Sequence, residues 1–432
     1  MKNDGLTYPA AIEFLYSLRL FGAKFGLENT LKLAGLAGNP PGKLRFIHVA
    51  GTNGKGSTCA MLESIYRAAG LRTGLFTSPH LVSFRERIQI GRRLIPEADV
   101  VRLVAEFQPY LGQFPAGHHP TFFEVVTVMA LKFFAEQQCD LVIWETGLGG
   151  RLDATNIVTP LASVITNIAF DHQQWLGDTL EKIAAEKAGI IKPGVPVVTG
   201  ADAPEALAVI QNVARGEKAR LIQVGREEFS SRTSGGAGLS LAGEHQQANA
   251  ALALAAVEIL QKQIPVTQAQ TRRGLAAVNW PGRLQLIPRP DGRQILLDGA
   301  HNPAGAAALA AALRQSFPAA GRTLVLGALA DKDWQAVCNI LAPLASKILP
   351  VPVASERAAG AADLAECCRS ANPAAEIVAC ANLAEALEKS AADPFVVVTG
   401  SLYLVGEALE LLGAAEGRPG AERGLNEWRT AR

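Results

Sequence analysis

The stretch Phe46–Gly70 reads FIHVAGTNGKGSTCAMLESIYRAAG, and its reading decides the fold. A short, mostly apolar run comes first, then Gly51-Thr52-Asn53-Gly54-Lys55-Gly56-Ser57, then apolar residues at helical spacing. That order predicts a strand, a tight turn and a helix. Glycines let the backbone turn so that successive N–H groups point at phosphate oxygens. The helix N-terminus adds a partial positive charge, and Lys55 adds a mobile full charge for the β- and γ-phosphates. The Ser57 hydroxyl stands where it can reach Mg²⁺. The spacing is a variant of G-x-x-x-x-G-K-[ST]: Val49 takes the place of the first glycine, and Gly56 separates Lys55 from Ser57.

On either side, short β-branched runs alternate with amphipathic segments, the pattern of βα units and parallel sheets. The runs predict strands at Leu44–Ala50, Arg72–Thr77, Asp140–Glu145, Leu161–Asn167 and Val195–Thr199. Helical periodicity falls at Ser57–Ala69, Pro96–Tyr110, Phe122–Gln138 and Thr179–Ala188. The Gly/Ser-rich stretch Gly225–Glu244 reads as an exposed hairpin or loop, with an Ala/Leu helix from about Gln246. Prolines and glycines interrupt the pattern between Pro281 and Pro290. A second series follows, with strands at Gln294–Asp298, Thr323–Gly327, Lys347–Val351, Glu376–Ala379 and Phe395–Thr399. The expected architecture is α/β: a P-loop ATPase domain with a mostly parallel sheet over residues 1–283, and a smaller Rossmann-like α/β domain over residues 284–413. Residues 414–432 have little apolar periodicity and read as a frayed tail.

A length of 432 residues exceeds what one hydrophobic core usually serves, which supports two domains. Lys and Arg number 41 against 40 Asp and Glu, so no basic footprint for nucleic acid or an anionic membrane exists. Anion handling must come from local groups. The apolar runs are too short and broken for a membrane span, and the start lacks a signal-peptide pattern. Six scattered cysteines without metal-ligand spacing read as reduced thiols, and the expected setting is a cytoplasmic monomer.

Further motifs follow the phosphate loop: TSPHLVSFRERI (Thr77–Ile88), FFEVVTVMAL (Phe122–Leu131), ETGLGGRLDATN (Glu145–Asn156), DHQQWLG (Asp171–Gly177), AAEKAGIIK (Ala184–Lys192), PGR (Pro281–Arg283), DGAHNP (Asp298–Pro303) and TGSLYLVGE (Thr399–Glu407). In this order, with GTNGKGS, they resemble the folylpolyglutamate synthase family of the Mur ligase superfamily, especially its bifunctional dihydrofolate synthase members. The resemblance runs from about Phe25 to Glu407. It implies an ATP-dependent carboxylate–amine ligase that adds L-glutamate to dihydropteroate and to reduced folates through an acyl phosphate.

The resemblance also implies roles for single residues. Thr52, Asn53, Gly54, Lys55, Gly56, Ser57, Asn249, Arg283 and Asp298 would bind ATP. Two Mg²⁺ ions would be held by Ser78, Glu145, His172 and Lys187, the lysine carried as a carbamate. Glu145 ends an apolar strand, where a parallel sheet presents ligand-binding groups, and its hard oxygens suit Mg²⁺. A carbamate makes physical sense at Lys187, because an ammonium repels the ion. His172 coordinates only when neutral, so activity is expected to fall in acid. Arg283 would bring a fixed charge from the hinge between domains. His301 and Ser401 match the incoming glutamate's site, although Asn302-Pro303 also reads as a simple helix start. Thr121, Phe122, Phe123 and Glu124, with Leu152, Asp153 and Ala154, match the pterin-bearing substrate's site. One of the two phenylalanines reads as core, and Asp153 as an acceptor for the pterin's N–H groups. Lys55, Glu145, His172, Lys187 and His301 are the candidate catalytic residues. Two alternatives stay open: a folylpolyglutamate synthase without dihydropteroate activity, and a nucleotide-binding regulatory protein.

Overall fold

The computed structural model describes residues 5–21, 26–115, 117–225, 227–228, 238–317, 321–415 and 422–427. Strands β1 (Phe46–Ala50), β2 (Thr73–Phe76), β3 (Ile88–Ile90), β4 (Arg93–Leu94), β5 (Leu141–Glu145), β6 (Ala162–Ile165), β7 (Val197–Thr199) and β8 (Leu221–Gln223) form one sheet, in the order β4-β3-β2-β5-β1-β6-β7-β8. Its central strands pair in parallel, and β3 and β4 add an antiparallel edge. β1 is buried along its whole length, as a central strand covered on both faces must be, which is why FIHVA carries no polar alternation.

One face packs on helices Tyr8–Ser17, Glu28–Leu36, Glu97–Leu111 and Phe122–Glu136, around the fully buried Trp144. The other packs on Lys55–Ala68, Glu244–Ile259 and Gln268–Ala276. Helices Leu180–Ala188 and Pro204–Gly216 cover the β6–β7 end. Local chemistry sets the starts: Thr121 and Glu124 form a capping box, and the Thr179 hydroxyl accepts from Lys182 N.

The second sheet contains β9 (Gln285–Pro288), β10 (Gln294–Leu297), β11 (Thr323–Leu326), β12 (Lys347–Pro350), β13 (Glu376–Ile377) and β14 (Phe395–Thr399), in the order β13-β12-β11-β14-β10-β9. All pairings are parallel except β9 on β10, and apolar cores lie on both faces. The chain therefore has two α/β domains, as its alternating pattern predicts. Among the described residues no helix is long and apolar enough to cross a membrane, and all six cysteines are free.

The Gly/Ser-rich stretch falls largely outside the described residues, at 229–237. The expectation of a frayed tail fails for residues 422–427, which include a short 3-10 turn (Arg423–Asn426) packed on the body of the protein. Glu422 and Leu425 are buried there, and Leu425 joins the core around Tyr8 and Phe84. One apolar anchor and specific polar partners hold this segment, so it has no periodicity for a sequence reading to detect.

Candidate active site

β1 lies between β5 and β6, so the loops after these strands open into the crevice where a doubly wound sheet binds ligands. A cavity of about 490 Å³ occupies that crevice and extends to the second domain, and every candidate residue named from the sequence lines it.

The phosphate loop spans Gly51 to Gly54, and helix Lys55–Ala68 starts immediately behind it. Gly54 has φ +83° and packs so closely on Asn249 that a Cβ would collide with its amide oxygen. Gly56 likewise faces the Trp280 indole. The loop is pinned by Thr52 N donating to Asn167 O (2.8 Å) and by Asn53 N donating to Asn167 Oδ1 (2.8 Å). Lys55 Nζ donates to the carbonyls of Gly51 and Thr52, each at 3.1 Å, which holds its ammonium over the loop.

Ser57 is buried, and its hydroxyl oxygen has no hydrogen-bond partner among the described residues. Glu145 ends β5, with Oε2 accepting from Ser78 N at 3.1 Å. Burial pushes its pKa up to about 7, against the opposing pull of Lys55. Among the described residues no three His, Cys, Asp or Glu side chains cluster as a metal cage. An orphaned hydroxyl and one carboxylate beside a phosphate loop fit Mg²⁺, which completes its shell with water and phosphate oxygens.

Lys187 is buried and donates to Gly51 O at 2.9 Å. Burial, reinforced by Lys55, lowers its pKa to about 7, so a large share of this amine is neutral at neutral pH.

The two domains meet at Asp171. Its Oδ1 accepts from Lys332 Nζ (2.5 Å), and its Oδ2 accepts from Asn302 Nδ2 (2.9 Å) and lies 3.5 Å from His301 Nε2. Burial alone would raise its pKa; the His301 bond and Lys332 outweigh that and hold it well below the usual carboxylate range. Asn302 also exchanges two amide bonds with Asn53 of the phosphate loop, at 3.1 and 3.0 Å. It caps helix Pro303–Gln315 as well, so the helix-start reading of Asn302-Pro303 holds alongside its place in the cavity. His301 Nδ1 lies 2.8 Å from Gly299 O.

His172 Nε2 lies 2.9 Å from Lys332 Nζ. Burial and then Lys332 lower the imidazole's pKa to about 3. The ring is thus held in the neutral form that coordination needs, while burial moves Glu145 up and Lys187 down, each to about 7.

Asn249 Nδ2 donates to Gln246 Oε1 at 3.0 Å, and Arg283 Nη1 donates to Gly282 O at 3.2 Å. Asp298 accepts from Leu284 N (2.9 Å) and Ala300 N (3.0 Å), and the Ser401 hydroxyl caps helix Leu402–Leu411.

At the other end of the cavity Phe122 is buried in the core, whereas Phe123 is partly exposed and lies over Gly147, where a Cβ would strike its ring. Phe122 is the core phenylalanine that the sequence reading expects, although both rings line the cavity and Phe123 also packs against that core. Thr121 and Glu124 are committed to their capping box. Leu152 and Ala154 flank Asp153 on the wall. Asp153, expected to accept from the pterin's N–H groups, lines the cavity with its oxygens already engaged. Its Oδ2 accepts from Gly147 N (3.1 Å) and Leu148 N (2.8 Å), and its Oδ1 from Thr155 N (3.0 Å) and Thr155 Oγ1 (2.5 Å). Four donors fill the acceptor capacity of a carboxylate, so Asp153 shapes the loop.

Sequence reasoning missed Asp171, Asn302 and Lys332. The first two lay inside quoted motifs. Lys332 follows β11 in Asp331-Lys332-Asp333, a charged run at the carboxyl end of a parallel strand, which is a signal in itself.

Residues 49–257 match the Mur ligase middle domain, and residues 282–402 match the Mur ligase, glutamate ligase domain. The Bacillus subtilis dihydrofolate synthase/folylpolyglutamate synthase is 37% identical over 423 residues, covering 93% of this chain and 98% of its own. The chain belongs to the folylpolyglutamate synthase family of Mur ligases. Within that family it is also 36% identical to the Lacticaseibacillus casei folylpolyglutamate synthase, over 81% of this chain and 86% of that protein. Among solved structures of the family, Escherichia coli FolC in complex with DHPP and ADP superposes with a TM-score of 0.83 at 31% identity, over 95% of this chain and 98% of that one. Mycobacterium tuberculosis folylpolyglutamate synthase, complexed with ADP and AMPPCP, gives 0.84 at 32% identity, over 94% and 99%.

Proposed function

We propose that this family member ligates L-glutamate to dihydropteroate, forming dihydrofolate, and to reduced folates, forming polyglutamates, with ATP converted to ADP and phosphate. The observation that carries this reading is one cavity in which a phosphate loop, the buried pair Glu145 and Lys187, and second-domain residues His301 and Ser401 all meet.

The γ-phosphoryl group passes to a substrate carboxylate oxygen, and the bond to the β-phosphate oxygen breaks. Lys55, the loop's N–H groups and Arg283 hold the phosphate charge as it spreads. Asn249 and Asp298 position the nucleotide from both sides of the cleft. The glutamate amine then attacks the acyl carbon, loses a proton and expels phosphate, which leaves with the former carboxylate oxygen. His301 and Ser401 orient the glutamate. Phe123 offers its face to the pterin or aminobenzoate ring, with Leu152 and Ala154 beside it.

Ser57, Ser78, Glu145 and His172 would hold Mg²⁺, which when bound neutralises phosphate charge and polarises the transferring group. Lys187 has the free amine needed to take up carbon dioxide as a carbamate with loss of one proton. That exchange replaces a repelling cation by anionic oxygens. Six free cysteines suit a reducing cytoplasm.

The resemblance of LGGRLDATN and TFFE to the bifunctional members favours the bifunctional reading over a folate-only enzyme, without a selective role for Asp153. The test is ATP- and glutamate-dependent formation of dihydrofolate from dihydropteroate, run beside the same assay with tetrahydrofolate. Activity on both is the expected result. Activity on tetrahydrofolate alone establishes the folate-only alternative, and ATP turnover indifferent to glutamate supports the regulatory one. Because Asp153 is saturated within its loop, Asp153→Ala is expected to reduce both activities together. Its four donors lose their acceptor, at a cost on the order of 1–3 kcal/mol for each that stays buried and unpaired. A selective loss of the dihydropteroate reaction would return Asp153 to direct substrate recognition.

A further inference from the structure

Three arginines distant in sequence converge on the last described residues of the chain. Arg19 Nε donates to the backbone carbonyl of Glu427 at 2.8 Å. Arg87 Nη2 donates to Asn426 Oδ1 at 2.5 Å, and Arg357 Nε donates to Glu427 Oε2 at 3.1 Å. All five residues line the cavity described above. Arg19 comes from the first helical region, Arg87 from the segment before β3, and Arg357 from the second domain.

The occupant has a recognisable chemistry. Glu427 is itself a glutamyl unit, held by its α-carbonyl on Arg19 and by its γ-carboxylate on Arg357. A glutamyl chain offers the same two groups, an amide carbonyl and a carboxylate, at every unit. Guanidinium groups suit them because their donors are fixed in a planar fork and keep their charge.

The segment is also anchored by contacts that do not involve Arg19 or Arg357, whereas Arg87 belongs to the anchor through His80 Nδ1 (2.9 Å). Glu422 Oε2 accepts from Ser83 Oγ (2.9 Å) and Phe84 N (2.6 Å), Leu425 is buried in the first domain's core, and Asn426 Nδ2 donates to His80 O (2.9 Å). Glu427 itself is less completely served, since its Oε1 is buried with no hydrogen-bond partner among the described residues. An acceptor that is firmly tethered but incompletely paired is one a better-fitting carboxylate can displace.

We propose that the end of the cavity lined by Arg19, Arg87 and Arg357 is a subsite for the glutamyl tail of a folate-type substrate, and that Glu427 is its tethered occupant. Glu427 is then a specificity-determining residue that disfavours substrates already carrying several glutamates. This inference rests on the ligase reading above.

The test compares KM for a monoglutamyl and a triglutamyl reduced folate in wild type, Glu427→Ala and Glu427→Gln, with ATP and glutamate saturating. Arg357 keeps Asp331 on Nη1 (2.9 Å) and the Tyr403 hydroxyl on Nη2 (3.0 Å), so Glu427→Ala releases only its Nε donor; that one charge-assisted bond is expected to lower the triglutamyl KM by about ten-fold. The monoglutamyl KM is expected to move far less, and Glu427→Gln, which keeps the shape without the charge, to fall between. An unchanged ratio of the two KM values, or a triglutamyl KM that rises, overturns the proposal and makes the segment a structural strap. Calorimetric binding of free γ-linked triglutamate to the same three proteins reads the same contrast without turnover. Tighter binding to Glu427→Ala sustains the subsite even if wild type fails to ligate glutamate, and equal binding removes it even if wild type is fully active.

Discussion

Lys55→Ala is expected to lower kcat for ligation by about 10²–10³-fold or more while leaving the melting temperature close to that of wild type. The size follows from removing a full charge aimed at a phosphoryl group in transfer, an effect comparable to deleting a preorganised oxyanion donor. The fold has little at stake, because Lys55 is only half-buried and its described bonds run to two carbonyls of its own loop, Gly51 and Thr52. Helix Lys55–Ala68 needs no lysine at its first position, and alanine is a good helix former. Circular dichroism and a thermal melt establish folding, and steady-state turnover establishes the loss. A folded Lys55→Ala protein with near-normal turnover overturns the phosphate-loop assignment.

Lys187→Ala is expected to be about 10–100-fold less active, the scale associated with losing a group that supports a catalytic metal. Lys187 is buried beside Gly51 and Lys55, a costly place for an ammonium. On the carbamate proposal it would supply anionic oxygens where its ammonium adds to the positive charge of Lys55. Short carboxylic acids are therefore expected to restore part of the activity of Lys187→Ala by placing oxygens in the space left behind. Lys187→Met fills that space and is expected to resist rescue. A Lys187→Ala protein retaining more than about a tenth of wild-type turnover contradicts this role, since lost metal support costs more.

The parts of this molecule that were legible in the sequence are those fixed locally. The mostly apolar runs of β1, β5 and β6 mark central parallel strands because both faces are covered, and the few polar side chains there, such as His48 and Ser163, are buried and hydrogen-bonded. The glycines of the phosphate loop announced a turn that the structure needs, at Gly54 above all. The short antiparallel β3 and β4 left no such trace, being only three and two residues long. What stayed hidden depends on contacts that close only in three dimensions. Lys332 reaches Asp171 across 161 positions of sequence, and neither residue reads as a partner of the other. Asp153 looked like a spare carboxylate because its four donors become neighbours only when the loop closes. The segment around Leu425 read as a tail because one buried leucine makes no periodic signal.

The central claim is that the carboxylate is activated as an acyl phosphate in this cavity. Dihydropteroate labelled with ¹⁸O in its carboxylate, incubated with ATP and glutamate, tests it directly by mass spectrometry of the released phosphate. Transfer of one ¹⁸O atom from the doubly labelled carboxylate to phosphate in each ligation is the result the account predicts. Dihydrofolate formed with unlabelled phosphate, both oxygens still accounted for elsewhere, would contradict it.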